Sequence, residues 1–263
     1  MTDSAQKTNA FKWQPNAKLL VFSLIMLPLL LSLGLWQLQR ADQKQEIVDR
    51  YARNQQLPPI VSADELAIEQ DHQYRLAWVR ATVDNERMII LDNKVKNGRP
   101  GYEILQPVTL RGLERKLLLN RGWIEASLDR DILPTVAPVE GEVQLRGYLY
   151  QTLKGGYRLD DGIRQVQQWP SRVGWITVER AEELFGDAFM PYQLRLDQDS
   201  LGALETGWPT VAIHPEKHVG YAVQWFAMAF TLLMLTIIAS SNALSWLRNK
   251  HRLSQRKDYR KYL

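Results

Sequence analysis

The 263-residue chain contains no cysteine. This excludes disulfide scaffolds, thiolate metal sites, thiol redox chemistry and cysteine nucleophiles. Common catalytic signatures are missing too, since the sequence has no G-x-S-x-G elbow, no P-loop, no G-x-G-x-x-G and no H-E-x-x-H. A catalytic function should leave such traces, so these absences argue against an enzyme.

Charged residues are missing from two long stretches. Residues 19–39 form an uncharged run of 21 positions, and residues 219–247 form one of 29. A membrane-spanning helix needs about 20 mostly apolar residues, so both runs are long enough. The first run is too long for a secretory signal peptide and lacks a small-residue cleavage site, which indicates an uncleaved anchor. The chain is therefore predicted to be a membrane protein.

The remaining charges are distributed unevenly. Residues 1–18 carry a net charge of +2 and residues 248–263 carry +6, whereas residues 40–218 carry −4. Basic residues beside membrane spans mark the cytoplasmic side, so both ends are predicted to be cytoplasmic. The short first segment has no arginine, which favours a bacterial inner membrane over a mitochondrial presequence. The predicted partner of the basic tail is the lipid bilayer, and nucleic acid is not expected.

The predicted fold is a membrane protein of α+β class, with two transmembrane helices flanking one β-rich periplasmic domain. Its segments are a cytoplasmic tail at 1–18, transmembrane helix 1 at 19–39, the periplasmic domain at 40–218, transmembrane helix 2 at 219–247 and a basic cytoplasmic tail at 248–263.

Three helical segments are predicted around the sheet. Residues 41–56 are predicted either to continue the helix of the first span or to form a short second helix after it, and to stop before Pro58, because the residue before proline disfavours α geometry. A short helix is predicted at 61–70 with Ser62 as N-cap. A further helix is predicted from the N-cap Thr177 to the stop residue Gly186.

Short runs rich in β-forming residues fill the rest of the domain. They lie at 74–83, 87–92, 102–110, 116–124 and 142–150, with weaker runs at 163–169 and 192–198. A turn-prone link, KVKNGRPG, separates the second run from the third. Several short strands at close spacing predict an antiparallel sheet or a small barrel.

Histidine is scarce in this chain, and its side chain is the one best suited to bind a metal or a cofactor. His72 and His251 lie in polar segments and are expected to be solvated. His214 and His218 have the i, i+4 spacing of a metal pair, but Pro215 is predicted to begin a helix between them, so they would not share a helical face. His218 alone stands at the outer entrance of the second span. It is either an interfacial polar residue or a ligand of haem iron.

Four motifs spread along the chain resemble the Surfeit locus protein 1 family of cytochrome c oxidase assembly factors. They are GLWQLQR, GRPGYEIL, LLLNRGWI and HVGYAVQWFAMA. The resemblance implies a factor without enzymatic turnover that binds haem a and assists its delivery. The implied partners are cytochrome c oxidase subunit I and the haem a synthesis machinery.

The resemblance also implies the site residues. His218 matches the histidine that opens the second span of the family and is its proposed ligand to haem iron. Tyr221, Gln224 and Trp225 are carried over as neighbours in the haem pocket. The Asn120–Trp123 motif is interpreted as structural, because it resembles a turn at a strand end.

Three other functions compete with haem binding. A cofactor-free scaffold could stabilise oxidase assembly intermediates through the same topology. A sensor is disfavoured because the predicted cytoplasmic tails, residues 1–18 and 248–263, are too short for a signalling domain. A membrane-tethered periplasmic enzyme is disfavoured by the missing motifs.

The predicted topology can be tested with reporter fusions. Alkaline phosphatase fused within residues 125–140 should be active, because this segment is predicted to be periplasmic, whereas a fusion at residue 263 should be inactive. Strong phosphatase activity at residue 263 would contradict the topology.

Overall fold

The structure, a computed structural model, describes residues 12–152, 166, 168–211, 213–242 and 246. The chain divides into two compact units, one formed by the residues up to Glu46 together with those from Val211 onward, and the other by Ile47–Thr210. His251, the tail at 248–263 and most of the weak strand predicted at 163–169 lie outside the described residues.

The first helix, α1, spans Ala17–Gln55 without a break. Asn16 begins it, because its Oδ1 accepts hydrogen bonds from the N–H groups of Lys18 (3.1 Å) and Leu19 (3.3 Å). At 1.5 Å per residue, its 39 residues extend about 58 Å, well beyond a bilayer core of about 30 Å. Of the two predicted alternatives, continuation of the helix past the first span is confirmed.

The last described helix, α4, spans Pro215–Ala239. Pro215 occupies its first turn, where the missing N–H has no helical partner to lose, and His214 is the N-cap. Within the described part of the chain, α1 and α4 are the two helices long and apolar enough to cross a membrane. This agrees with a membrane protein. The helix ends at Ala239, earlier than the uncharged run to residue 247.

Small and apolar residues line the contact between α1 and α4, which run antiparallel. The buried residues of α4 recur every seven positions: Pro215, Ala222, Ala229 and Thr236. Those of α1 are Ser23, Leu30, Gly34 and Ala41. Ser23 Oγ lies 2.6 Å from Thr236 Oγ1. Thr236 donates its own proton to Leu232 O (2.7 Å), so Ser23 is the donor between the helices. Spacings of seven residues in α4, and of seven and four in α1, keep one face of each helix against its partner.

A seven-stranded mixed sheet forms the second unit, in the order β1-β5-β7-β4-β3-β2-β6. The strands are β1 Leu76–Val83, β2 Ile89–Lys96, β3 Arg99–Leu110, β4 Lys116–Glu125, β5 Glu142–Tyr150, β6 Ser171–Val173 and β7 Phe189–Leu196. β1 also pairs with β3. Closure into a small barrel stays a prediction, which this extra pairing supports.

The prediction of an antiparallel sheet is wrong at two pairings, since β2–β6 and β4–β7 are parallel. Parallel neighbours need a long crossover connection, and both pairs are separated by long stretches of chain. The second of these stretches contains α3, Val178–Phe185, which immediately precedes β7. Periodicity along one strand carries no information on such distant partners.

The hairpin between β2 and β3 is tighter than predicted. Its turn consists only of Asn97 and Gly98, whose φ values of 51° and 77° are those that a two-residue turn requires. Pro100 and Gly101, which were assigned to the link, belong to β3 and pair with Val95 and Lys94.

The two predicted short helices of this unit are present with their caps. Ser62 Oγ accepts from the N–H of Glu65 (3.1 Å) at the start of α2, Ala63–Ala67, which is shorter than predicted. Thr177 accepts from Arg180 N (3.2 Å) at the start of α3, and Gly186 ends it with φ 72°. These local signals were readable because they involve neighbours in sequence.

Strand β4 separates two hydrophobic cores. Leu117 and Leu119 point into the larger one, which combines β1, β3, β5 and β7 with Ile60 and α2. Leu118 points the other way, into the core beneath α3. Since successive strand residues face opposite sides, a strand covered on both faces reads as a continuous apolar run.

His72 is buried, so the prediction that it is solvated is wrong. Its side chain is 1% exposed, its Nε2 lies 3.1 Å from the carbonyl oxygen of Ile68, and its ring packs edge-on against Tyr192. Its Nδ1 is buried without a hydrogen-bond partner among the described residues. Burial lowers the pKa of His72, because the charged ring loses water there.

This burial predicts a pH-dependent stability. In the unfolded chain His72 takes up a proton near pH 6.5, which is above its pKa in the folded state. The contribution of neutral His72 to the free energy of unfolding is therefore complete above that pH and is lost as the pH falls towards the folded pKa. The thermal midpoint of the detergent-solubilised chain should therefore fall between pH 8 and pH 5 more steeply than that of His72→Gln, which keeps a donor but does not titrate. Equal slopes would contradict this account.

Candidate functional site

The candidate site is built where α1 and α4 meet, around His218. This residue lies in the first turn of α4, which Pro215 begins. Its Nδ1 lies 2.8 Å from Oε1 of Gln37 on α1, 181 residues away in sequence. The contact therefore joins two helices that lie far apart in the sequence, and a local sequence pattern gives no information on it.

The second ring nitrogen of His218, Nε2, is buried and has no hydrogen-bond partner within the described part of the chain, as is also true of Nδ1 of His72 in the β domain. Buried polar atoms are paired in the great majority of cases, and an exception calls for an explanation such as an absent ligand or ion. The side chain as a whole is half-buried. His218 thus combines one nitrogen held by a neighbour with one that is left over.

Gly34, one turn before Gln37, allows the helices to come this close. A Cβ atom at position 34 would lie 2.5 Å from Cε1 of Phe226 on α4, a distance that real Cβ contacts essentially never show. Small residues at helix contacts permit such close approach in membranes. The glycine therefore leaves room on α1 for the ring of Phe226, one turn from the Gln37–His218 contact.

The predicted neighbours of His218 divide by helical face. Tyr221 and Trp225 follow it by three and seven residues, which places them on the same side of α4, whereas Gln224 lies roughly 120° around the helix. Tyr221 is 51% exposed, Gln224 is exposed and Trp225 is half-buried. Their role as haem neighbours stays a prediction.

His214 is placed apart from this face. It is the N-cap of α4, is exposed and makes no side-chain capping hydrogen bond. The expectation that Pro215 begins the helix is confirmed. No group of three or more His, Asp or Glu side chains suited to a metal ion occurs among the residues that the structure describes.

Gln37 is the site residue that sequence reasoning missed. It lies within the GLWQLQR motif, where an amide interrupts the end of an apolar run. That interruption was the available signal, because a polar side chain facing a helix partner usually bonds across the contact. The sequence could not identify its partner, because the pairing depends on how two helices that are distant in sequence align.

The two motifs of the β domain, GRPGY and NRGW, pack against each other. A Cβ atom at Gly101 would lie 2.3 Å from Cε2 of Trp123. Arg99 lies over the same indole, with its Cζ 5.0 Å from the ring centroid, and Trp123 Nε1 donates to Lys94 O (2.8 Å). GRPGY and NRGW therefore form one packed cluster.

This cluster also holds the segment that leaves β7. Buried Arg121 donates from Nε to Gly202 O (2.7 Å) and from Nη1 to Gln106 Oε1 (3.0 Å). Burial lowers the pKa of Arg121. Main-chain N–H groups of Leu204 and Trp123 complete the attachment, to Arg121 O and Glu205 O respectively (2.8 Å each). The contacts give the motif a structural role.

Comparison with known proteins assigns the chain to a family. The SURF1 family model matches residues 24–230, most of the chain. The chain belongs to the SURF1 family. It is also similar to Surfeit locus protein 1 of Takifugu rubripes, with 22% identity over 213 residues that cover 74% of this chain and 86% of the relative. The SURF1 family is associated with cytochrome oxidase assembly and is a family of assembly factors rather than enzymes. The matched range includes both Gln37 and His218.

The packing at Gly34 generates a prediction that the cysteine-free sequence makes easy to test. Ser23→Cys and Thr236→Cys should form a disulfide in membranes, because the native oxygens are 2.6 Å apart. Adding Gly34→Val should sharply lower the cross-linked fraction, since overpacking typically costs about 1–3 kcal/mol. The matched control is Gly220→Val on α4, where an added Cβ meets nothing within 4 Å. Equal cross-linking in both variants would contradict the close contact.

Proposed function

We propose that this member of the SURF1 family is a membrane-anchored assembly factor that binds haem a through His218 and assists its delivery to subunit I of a haem-copper cytochrome c oxidase. Family membership supports the part in oxidase assembly. The single observation that favours haem is the buried, unpartnered Nε2 of His218. Imidazole nitrogen is a common axial ligand of haem iron.

The residues around His218 fit a macrocycle in their chemistry. Tyr221 and Trp225 share its helical face and offer aromatic surface, and α4 carries no charged residue after His218, although Glu216 and Lys217 precede it. When bound, haem a would supply the redox-active iron that the oxidase needs, and this chain would only hold it. His218 is the only histidine within the described helix α4, so the proposed attachment is a single protein ligand supported by apolar packing.

The burial of Nε2 bears on how haem would enter. Protein atoms cover this nitrogen, so neighbouring side chains must move before iron can reach it. A site that opens to bind also opens to release, and one axial ligand leaves fewer bonds to break than two. Loose, reversible holding suits a factor that passes its cargo on.

The charge distribution supports the proposed location. Both ends of the chain would lie in the cytoplasm of a bacterium, with the β domain in the periplasm and α1 and α4 in the inner membrane. The proposed partners are oxidase subunit I, the haem a synthesis machinery and the lipid bilayer. In this arrangement His218 lies at the periplasmic end of α4.

Haem content distinguishes this function from a cofactor-free scaffold. Each variant is co-expressed with the haem a biosynthetic enzymes, and bound haem per protein is measured after purification. His218→Ala should lose most of its haem, because it removes the nitrogen donor. His214→Ala is the matched control and should retain haem, since that side chain is an exposed N-cap.

Equal amounts of membrane-inserted protein in each preparation serve as the folding control. Equal haem in wild type, His218→Ala and His214→Ala would contradict the ligand role. That result, or a wild-type chain without haem, would favour the scaffold that stabilises assembly intermediates.

A further inference from the structure

We propose that Gln37 is the positioning residue of the site: it fixes the His218 tautomer that leaves Nε2 free to act as a ligand. This inference rests on the proposed function for its haem, but its first step concerns only the protein's own residues. It is carried by two observations, the 2.8 Å contact between Nδ1 and Gln37 Oε1 and the unpartnered, buried Nε2.

The first step is the placement of the proton. A carboxamide oxygen only accepts hydrogen bonds, so the Nδ1 that contacts it must carry the hydrogen. Neutral imidazole has one N–H, and Nε2 is then the nitrogen with the free lone pair. That lone pair is what a metal requires. The contact therefore selects the tautomer in which the buried nitrogen is a donor of electrons and not of a proton.

The reverse arrangement is less favourable in this structure. If the amide were turned so that its NH₂ group donated to Nδ1, the hydrogen would sit on Nε2, which has no acceptor among the described residues. A buried N–H without an acceptor is rarer in proteins than a buried acceptor without a donor. The surroundings of Nε2 thus favour the same assignment as the contact at Nδ1.

The position of Gln37 makes the contact rigid. Gln37 lies seven residues after Leu30 and fourteen after Ser23, both buried in the contact with α4, so it continues the same face of α1. Gly34 lies between Leu30 and Gln37 and packs against Phe226. Buried Ala41 follows Gln37 by four residues, so α1 is packed both before and after the amide, which limits its movement. Metal-binding histidines generally have their other nitrogen held in this way by a partner outside the ligand set.

An uncharged acceptor also sets the strength of the ligand. A carboxylate at position 37 would draw the Nδ1 proton more strongly, make the imidazole more basic and favour ferric iron. The amide fixes the orientation and tautomer without adding a charge at the end of an apolar helix. Gln37 therefore gives a ligand of moderate strength, as cargo release requires.

The test compares three variants of the full chain. Gln37→Leu removes the acceptor, Gln37→Glu restores an acceptor oxygen, and Gln39→Leu makes the same change two residues away on an exposed part of α1. The disulfide between Ser23→Cys and Thr236→Cys, introduced into each variant, reports whether the helix pair is intact. Only variants with wild-type cross-linking are compared.

The first measurement uses apoprotein. ¹⁵N NMR of histidine-labelled chain in nanodiscs at pH 8 should show His218 with its proton on Nδ1 in wild type, Gln39→Leu and Gln37→Glu. Gln37→Leu should show a mixture of tautomers or the Nε2–H form. The Nδ1–H form in undiminished proportion in Gln37→Leu would overturn the inference.

The second measurement titrates the same proteins with haem a. Gln37→Leu should bind roughly 10- to 100-fold more weakly than wild type, the usual effect of removing such a partner. Gln37→Glu should recover affinity and shift the midpoint potential of the iron downward, and Gln39→Leu should match wild type. Unchanged affinity in Gln37→Leu would overturn the inference, whereas a wild-type chain with the Nδ1–H tautomer and no haem binding would overturn the proposed function alone.

Discussion

The site depends on how closely α1 packs against α4. A Cβ atom at Gly34 would lie 2.5 Å from the ring of Phe226 as it stands, and the buried positions of α4 recur at seven-residue intervals through two alanines. Helices in lipid gain little from hydrophobic burial against each other, so close contact and shared hydrogen bonds must hold them. Ser23–Thr236 and Gln37–His218 supply such bonds at two levels of the pair. The environment of His218 therefore depends on the contact between the two helices.

The family motifs separate into two physical tasks. GLWQLQR and HVGYAVQWFAMA contribute Gln37 and His218 to the contact between the helices. The motifs of the β domain pack on one another through Gly101 and Trp123 and hold the segment after β7. Each task makes demands on particular residues: a glycine where an indole or a phenyl ring approaches, and polar groups where buried atoms need partners. The sequence alone does not distinguish a motif that joins the helices from one that packs within the β domain.

Features that depend on near neighbours were predictable from the sequence. The caps Ser62 and Thr177, the start of α4 at Pro215 and the continuation of α1 all follow from local geometry. The parallel pairings, the burial of His72 and the partner of His218 did not, because each depends on residues far away in the chain. Periodicity shows which face of an element is buried, whereas the element that covers it is fixed only by the whole fold.

The central claim is that Nε2 of His218 binds haem iron. Resonance Raman spectroscopy of the ferrous, haem a-loaded chain tests it most directly, because a five-coordinate histidine complex gives an iron–nitrogen stretching band that shifts with the iron isotope. The account predicts such a band in the wild-type chain, a shift on ¹⁵N labelling of histidine, and its loss in His218→Ala. An unchanged iron–histidine band in His218→Ala would show that another residue holds the iron and would contradict the account.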